Sequence, residues 1–248
     1  MKTYFKHLVL LSFTFISKVG YTQQLGIDMG APGATGGNYG TVRVFDPAKL
    51  TDKKTSSLTY ADVEGSPFWD DNWHAAIIYF NNNGIVKLPQ AKLNLLTGEI
   101  HYLSPVGTEL AVENENIEKL VFINEKDNTK PLAVFATLPD YVDNKPKALF
   151  RVFNNGYLQL VLLQKNLVKT SPYDPMLGKN ISSFFSKKYY AIYINGQIKP
   201  LKDLDRNSIL SAIPFEATVE PWLKQNKNKL KSENDIIDLL TYFNSIKK

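Results

Sequence analysis

Four glycine-containing dipeptides, each between two short apolar runs, most constrain what this 248-residue chain can fold into. They are Asn83-Gly84, Thr97-Gly98, Asn155-Gly156 and Asn195-Gly196. A tight hairpin turn needs positive φ angles, which glycine and asparagine adopt at low cost. Because a short hairpin joins only antiparallel strands, these turns predict a mainly antiparallel sheet.

The segment between Trp73 and Pro200 has the strand pattern, since apolar and polar residues alternate there with a period of two. About eight to ten strands of average length fit this stretch. A curved sheet, a sandwich or an open barrel each satisfies the pattern. We therefore predict an α+β fold that is mainly antiparallel β, with its β domain at residues 61–202 and amphipathic helices at the C-terminus.

The C-terminal segment 203–248 has helical periodicity. A short helix is predicted at Asp203–Ser211, and Thr218 is the predicted N-cap of a second helix. Ser232 and Asp235 have the spacing of a capping box before a third helix. The apolar residues of that helix share one stripe: Ile236, Leu239, Leu240, Phe243 and Ile246. We expect the stripe to pack on the sheet; docking on another protein is the alternative.

The N-terminus has the composition of a secretory signal peptide. Lys2 and Lys6 make the first residues of the chain positively charged, residues 8–16 carry no charge, and Lys18 ends this uncharged run. This run is much shorter than the ~20 apolar residues that span a bilayer, but it suits the apolar core of a signal peptide. We predict a signal peptide at residues 1–22; a buried N-terminal strand or helix is the alternative.

Composition narrows the chemistry that the chain can perform. It has no cysteine, which excludes disulfides, thiol nucleophiles, cysteine-ligated metals and a lipid anchor on cysteine. Cleavage of the signal peptide removes three lysines and no acid, which lowers the formal charge from +5 to +2. Arginines are few and the lysines are scattered among acids, so nucleic acid is not an expected partner. We predict a soluble periplasmic protein associated with the outer membrane, with no transmembrane segment after cleavage.

Residues 23–60 differ in composition from the rest of the chain, because they contain six of its 14 glycines. Glycine loses the most conformational entropy when it is ordered, so this stretch has little tendency to fold alone. We predict a flexible glycine-rich arm with one short strand near Val42–Phe45. An arm that orders on a partner is the alternative.

A tryptophan-rich segment precedes the first predicted strand of the β domain, and it contains Trp69, Asp70, Asp71, Trp73 and His74. Indole rings stack on sugars and grip peptides, and carboxylates with a histidine can ligate a metal. This segment lacks the further ligands that calcium or zinc requires, so we predict neither a metal nor a cofactor. Core packing of the tryptophans, with the aspartates shaping the turn, is the other interpretation.

The aromatic and basic string at residues 184–193 is a second candidate surface. As a strand, it places Tyr189 and Tyr193 on one face and Tyr190 on the other. Because tyrosine is enriched in interfaces, one of these faces is a candidate contact surface. A strand buried on both faces is the alternative.

Catalytic signatures are weak throughout the chain. His74 and His101 are the histidines left after cleavage, and no Gly-x-Ser-x-Gly elbow accompanies them. The glycine-rich stretch 30–37 lacks the Gly-Lys-Ser/Thr end of a phosphate loop. A carboxylate pair for glycoside hydrolysis leaves no local signature, so that chemistry stays open. We predict that the protein is not an enzyme.

Several motifs occur together in an order that is typical of one protein group. They are Glu64-Gly65-Ser66-Pro67-Phe68, Asp70-Asp71-Asn72-Trp73, Lys92-Leu93-Asn94-Leu95, Glu99-Ile100-His101-Tyr102, Phe185-x-x-Lys188-Tyr189-Tyr190 and Leu240-x-Tyr242-Phe243-Asn244-Ser245. With the lysine-rich signal peptide, they resemble secreted β-rich proteins of Bacteroidetes-type bacteria over residues 60–246. The chain is also similar to the periplasmic plug subunit of the type 9 secretion translocon, which closes the periplasmic mouth of an outer-membrane barrel. Neither resemblance implies a catalytic residue.

These observations predict a non-catalytic periplasmic protein that binds a protein partner, namely an outer-membrane β-barrel translocon of the type 9 secretion system. The candidate partner- or ligand-binding residues are Trp69, Asp70, Asp71, Trp73, Tyr189 and Tyr193. A periplasmic lipid- or glycan-binding protein is the first alternative, and a carboxylate-based glycan hydrolase is the second.

Overall fold

The computed structural model describes residues 40–50, 58–127, 129–138, 148–176, 178–213 and 216–246. The predicted signal peptide and residues 23–39 and 51–57 of the predicted arm lie outside these ranges. The strands are β1 (Val42–Val44), β2 (Val63–Glu64), β3 (His74–Phe80), β4 (Ile85–Leu93), β5 (Ile100–Leu103), β6 (Glu109–Val112), β7 (Ile117–Phe122), β8 (Ala133–Thr137), β9 (Leu149–Val152), β10 (Leu158–Asp174), β11 (Lys179–Ile194) and β12 (Gln197–Pro200). The α-helices are α1 (Arg206–Ala212), α2 (Glu216–Asn226) and α3 (Glu233–Ile246), and a 3-10 helix occupies Tyr60–Asp62.

The twelve strands of the described ranges belong to one open, curved sheet with the order β1-β6-β5-β4-β3-β7-β8-β9-β10-β11-β12. β2 lies off this path and pairs with β11 in parallel, whereas the other pairings are antiparallel. The predicted fold class, mainly antiparallel β with C-terminal helices, is therefore confirmed.

The four predicted turns connect neighbouring antiparallel strands. Asn83 (φ 64°) lies between β3 and β4, and Gly98 (φ 78°) lies between β4 and β5. Gly156 (φ 119°) lies between β9 and β10, and Asn195 (φ 52°) begins the turn between β11 and β12. Each turn has the positive φ on which the prediction of antiparallel pairing rests.

The long hairpin of β10 and β11 extends further than the sequence pattern indicates. Apolar alternation predicts a strand only to Leu163, whereas β10 continues to Asp174 and pairs with β11 along almost its whole length. β9 pairs with β10 only at Val161 and Leu162, so the distal part of the hairpin runs past β9. A ribbon that is not covered on one face by a large core shows no clean alternation of polar and apolar residues.

The inner face of the sheet, defined as the face that carries Leu149 and Leu160, has two apolar cores. The first core is formed mainly by β3–β8 around Phe80, Leu120 and Phe122. The second core lies between the β10–β11 hairpin and the three helices. The opposite, outer face has a small cluster of Phe150, Val161, Leu163 and Ala191.

The helices cover the second core as expected. In α3, four residues of the predicted stripe are buried: Ile236, Leu239, Leu240 and Phe243. The fifth residue of the stripe, Ile246, is 55% exposed. Ser232 Oγ accepts the Asp235 N–H at 3.2 Å, as the predicted capping box requires. The return bond is shifted by one residue, because Asp235 Oδ2 accepts the N–H of Lys231 at 2.9 Å. α2 begins at Glu216, so Thr218 lies inside that helix and the predicted cap is wrong.

Among the described helices, none combines the length and apolar character needed to cross a membrane.

β1 lies within the segment predicted as a glycine-rich arm. Val42 is 1% exposed and pairs with Val112 of β6, which joins this strand to the first core. Arg43 forms two hydrogen bonds to Glu99, with Nε–Oε1 at 2.9 Å and Nη2–Oε2 at 2.7 Å. Burial of Val42 and this ion pair together hold the strand at the sheet edge.

Asn244 of α3 secures the β9–β10 turn. Its Oδ1 accepts the Leu158 N–H at 2.8 Å, and its Nδ2 donates to the carbonyls of Asn155 and Leu158 at 3.0 and 2.8 Å. A Cβ at Gly156 would lie 2.5 Å from the Asn244 side chain, and Gly156 also has a φ of +119°. The helix therefore fits against this turn only because residue 156 is glycine.

We predict that Gly156→Ala lowers the free energy of unfolding by about 2–3 kcal/mol, because it adds backbone strain and displaces the Asn244 amide. Gly107→Ala is the matched control, since Gly107 has a φ of +82° but no heavy atom within 4 Å of its added Cβ. We expect the control to lose about 1 kcal/mol in urea denaturation. Equal losses in the two variants would contradict the proposed collision with Asn244.

Tyr102 and Tyr190 provide a second paired test. The Tyr102 hydroxyl is buried without a hydrogen-bond partner in the described structure, and burial raises the pKa of Tyr102 to about 12. The Tyr190 hydroxyl, in contrast, donates to Glu233 Oε1. We predict that Tyr102→Phe raises the free energy of unfolding by about 1 kcal/mol, whereas Tyr190→Phe lowers it by at least that much. Thermal unfolding of both variants checks this, and destabilisation by Tyr102→Phe would contradict it.

Candidate functional site

Trp69 packs at the margin of the first core. Its ring stacks on Phe122 with 5.1 Å between centroids and meets Phe135 edge-on at 5.4 Å. Its backbone N–H donates to the Leu93 carbonyl at 2.9 Å, which fixes the segment before β3 against β4. Trp69 is half-buried, so it combines core packing with an accessible part of the ring.

Trp73 has different neighbours from Trp69. The ammonium of Lys92 lies 4.6 Å from the centroid of the Trp73 ring and 5.1 Å from that of Phe68. This cation–π contact holds Trp73 over the Lys92 side chain of β4. The structure therefore places the two predicted tryptophans against different residues.

Asp70 and Asp71 shape the turn that leads into β3. Asp70 Oδ1 accepts from the Asn72 N–H at 2.8 Å and from Asn72 Nδ2 at 3.0 Å, and Asp71 accepts the Ser66 hydroxyl. His74 Nε2 lies 3.4 Å from Asp70 Oδ2. Burial raises the pKa of Asp70, but the Asn72 hydrogen bonds and the His74 contact outweigh burial and hold that pKa below its ordinary value.

His101 is the centre of a polar network that the sequence did not predict. Its Nδ1 lies 2.7 Å from Glu109 Oε1, and its Nε2 lies 3.4 Å from Asn94 Nδ2. The Phe45 and Phe68 rings meet the imidazole edge-on at 4.6 and 5.1 Å. His101 is fully buried, so this network joins β1 and the Phe68 segment to the sheet and offers no open site. No cluster of three or more metal-ligating side chains occurs in the part of the chain that the structure describes.

The far end of the β10–β11 hairpin carries an aromatic and basic surface on its outer face. We call this surface the hairpin face, and it consists of Lys165, Leu167 and Lys169 of β10 with Phe185, Lys187 and Tyr189 of β11. Tyr189 is 53% exposed and Phe185 is 37% exposed. Large apolar rings at this exposure on neighbouring positions of one face are typical of binding surfaces.

Tyr193 lies on the same outer face as Tyr189, as the alternation predicted. Tyr193 is half-buried against the outer-face cluster, whereas Tyr189 faces solvent. Tyr190 is on the inner face, where it packs on the second core and bonds Glu233. Burial, followed by the Glu233 hydrogen bond, raises the pKa of Tyr190 above its ordinary value. The tyrosines are therefore divided between a structural role and an exposed one.

The charges of the hairpin face are unbalanced. Lys165 and Lys187 are directly opposite each other in the β10–β11 register. Like charges at opposite cross-strand positions are destabilising. Residues 158–194 contain five lysines and one aspartate. The hairpin face therefore has an excess of positive charge.

An open strand edge adjoins the hairpin face. β12 pairs with β11 at Ala191–Ile194, and β2 pairs with it at Ser182 and Ser183. Between these pairings, residues 185–189 of β11 have β10 as their only strand partner within the described ranges. Unpaired backbone groups of an edge strand can pair with a strand of another chain. A cavity of about 140 Å³ is lined by residues of β10 and of the β4–β5 turn, among them Gln164, Lys165 and Asn94, together with Asn114.

No protein-family profile matches this chain, and no significant match was found among curated proteins or among solved structures. The function is therefore argued from the residues and their geometry.

The lowered pKa of Asp70 leads to a test of the turn that Asp70 forms before β3. Because the folded-state pKa is lowered, ionised Asp70 stabilises the fold above its unfolded pKa, and this contribution is lost as the pH falls through the folded value. We predict that Asp70→Asn loses less free energy of unfolding between about pH 6 and about pH 3 than the wild type does. Urea denaturation at both pH values measures this difference. An identical pH dependence in the two proteins would contradict the assignment.

Proposed function

We propose that this chain is a non-catalytic periplasmic protein that binds an acidic protein partner through the hairpin face. We further propose that the partner is a subunit of the outer-membrane translocon of type 9 secretion. The observation that carries the proposal is the exposed row of Phe185, Lys187 and Tyr189 beside the open edge of β11.

Recognition at this surface has two components. The open edge offers backbone hydrogen bonds to an added strand, a mode in which the main chain provides affinity and side chains provide specificity. The neighbouring rings of Phe185 and Tyr189 offer apolar area of the kind that dominates binding energy at interfaces. Both components lie on one side of the same hairpin, so one partner segment can engage them together.

The lysines of the hairpin face favour an acidic partner. A carboxylate placed between Lys165 and Lys187 would offset the repulsion of these opposed ammonium groups. Lysines at the rim of an interface also accelerate the approach of an acidic partner. The signal-peptide pattern and the motif resemblance support the periplasm and the translocon as the place of binding.

A native pull-down tests the proposal. We predict that the C-terminally tagged wild type, extracted from envelopes in mild detergent, recovers a stoichiometric outer-membrane protein. The double variant Lys187→Glu/Tyr189→Asp should recover at least about tenfold less, because it removes a central ring and reverses one charge. Mass spectrometry identifies and quantifies the recovered proteins.

The matched control is the double variant Lys126→Glu/Val106→Asp, which makes the same kind of change at exposed loop positions away from the hairpin. It should recover the partner at the wild-type level. Equal recovery by the hairpin and control variants would exclude the hairpin face as the binding surface. A wild type that copurifies with no other protein would exclude the partner-binding function.

A further inference from the structure

Arg151 lies on the inner face of β9, where the first core meets the second. The strand register places it opposite Phe135 of the first core and opposite Leu162 of β10. The guanidinium carbon is 5.6 Å from the centroid of the Trp69 ring and 4.8 Å from that of Phe153. Trp69 packs on the first core and Phe153 on the second, so Arg151 occupies their junction.

The other two arginines of the chain have carboxylate partners, whereas Arg151 has none among the described residues. Arg43 pairs with Glu99, and Arg206 pairs with Glu220. In the described structure the half-buried Arg151 has two ring contacts and an electrostatic interaction with Tyr190, but no hydrogen bond and no salt bridge. Arginine is seldom buried without a partner, because its charge must be compensated.

Two described acids that contact neighbours of Arg151 are bonded elsewhere. Glu233 accepts the Tyr190 hydroxyl, and Asp70 accepts from Asn72. The buried side-chain nitrogens and oxygens without a partner among the described residues are His74 Nε2 and the Tyr102 hydroxyl, so the Arg151 nitrogens keep contact with solvent. His74 lies beside Trp69, with 6.1 Å between ring centroids, and its Nε2 lies 3.4 Å from Asp70 Oδ2.

We propose that Arg151 is the centre of a binding site for a small oxyanion, a carboxylate or a phosphate group. A guanidinium presents its donors in a planar fork that matches the two oxygens of such a group. The rings of Trp69 and Phe153 hold the fork in place, which reduces the entropy lost on binding. This site is on the inner face, whereas the hairpin face is on the outer face, so it does not depend on the proposed partner.

NMR of the arginine side chains tests the site directly. The ¹⁵N-labelled full-length protein has one Nε–Hε signal for each of its three arginines. Arg151→Lys assigns the Arg151 signal by its disappearance. We expect titration with inorganic phosphate or with acetate to shift the Arg151 signal saturably, while the carboxylate-paired Arg43 and Arg206 signals serve as internal controls and stay in place.

The two anions distinguish the source of the ligand. Tighter binding of phosphate would indicate a phosphorylated ligand, and tighter binding of acetate would indicate a carboxylate such as a uronic acid or a peptide terminus. Tryptophan fluorescence, to which Trp69 contributes together with Trp73 and Trp222, should report an affinity for the tighter anion that is at least about tenfold weaker in Arg151→Lys, which keeps the charge but loses the fork. Lys126→Glu, which reverses a charge at an exposed loop position outside both proposed sites, should leave the titration unchanged.

Three outcomes would overturn the site. The first is a linear response of all three arginine signals together, which indicates general charge screening. The second is the absence of any shift of the assigned Arg151 signal of the wild-type protein with either anion. The third is an unchanged anion affinity in Arg151→Lys.

Discussion

The inner face of this sheet must be buried, but the sheet is too long to close around one core. β3–β8 curve around the first core, and β10 and β11 therefore need another cover. The three C-terminal helices provide it, and Asn244 fastens the last of them to the β9–β10 turn. Where the helices end, the segment before β3 packs against the inner face of the distal hairpin, with Asn166 Nδ2 donating to the Ser66 carbonyl at 3.0 Å. The β4–β5 turn also meets the hairpin, since the Asn166 N–H donates to the Leu95 carbonyl at 3.0 Å. On the outer face, Phe185 and Tyr189 are exposed.

Local chemistry predicted much of this fold. The turn at Asn195-Gly196 and the stripe of Leu239 and Leu240 depend on φ preference and on helical spacing, which neighbouring residues determine. The distal hairpin was missed because its residues are not half-buried on one large core, so the period-two signal fades beyond Leu163. The cap at Thr218 was misplaced because helix ends depend on tertiary contacts as well as on local residues.

The residues of the candidate sites were likewise predictable where local sequence decides their position, and not where tertiary structure decides it. Alternation along one strand was enough to separate Tyr189 from Tyr190, because neighbouring strand residues point to opposite faces. The opposition of Lys165 and Lys187 depends on a register that no local motif specifies. Arg151 and Trp69 are far apart in sequence, and only the sheet order brings the guanidinium over the indole. Tryptophan content therefore predicted a candidate segment, but the arginine that contacts Trp69 could not be predicted from it.

Strand β10 separates the two surfaces to which we assign proposed functions. Leu162 lies opposite Arg151 and points to the inner face, whereas its neighbour Leu163 lies opposite Tyr189 and points to the outer face. A small ligand at Arg151 therefore cannot also contact Tyr189, because the sheet lies between them. Within the described ranges, no salt bridge involves Arg151 or the lysines of the hairpin face. Ring contacts from both cores support Arg151, whereas the strand register positions the hairpin face. Because these supporting contacts differ, we expect substitutions to test the two proposed binding activities separately.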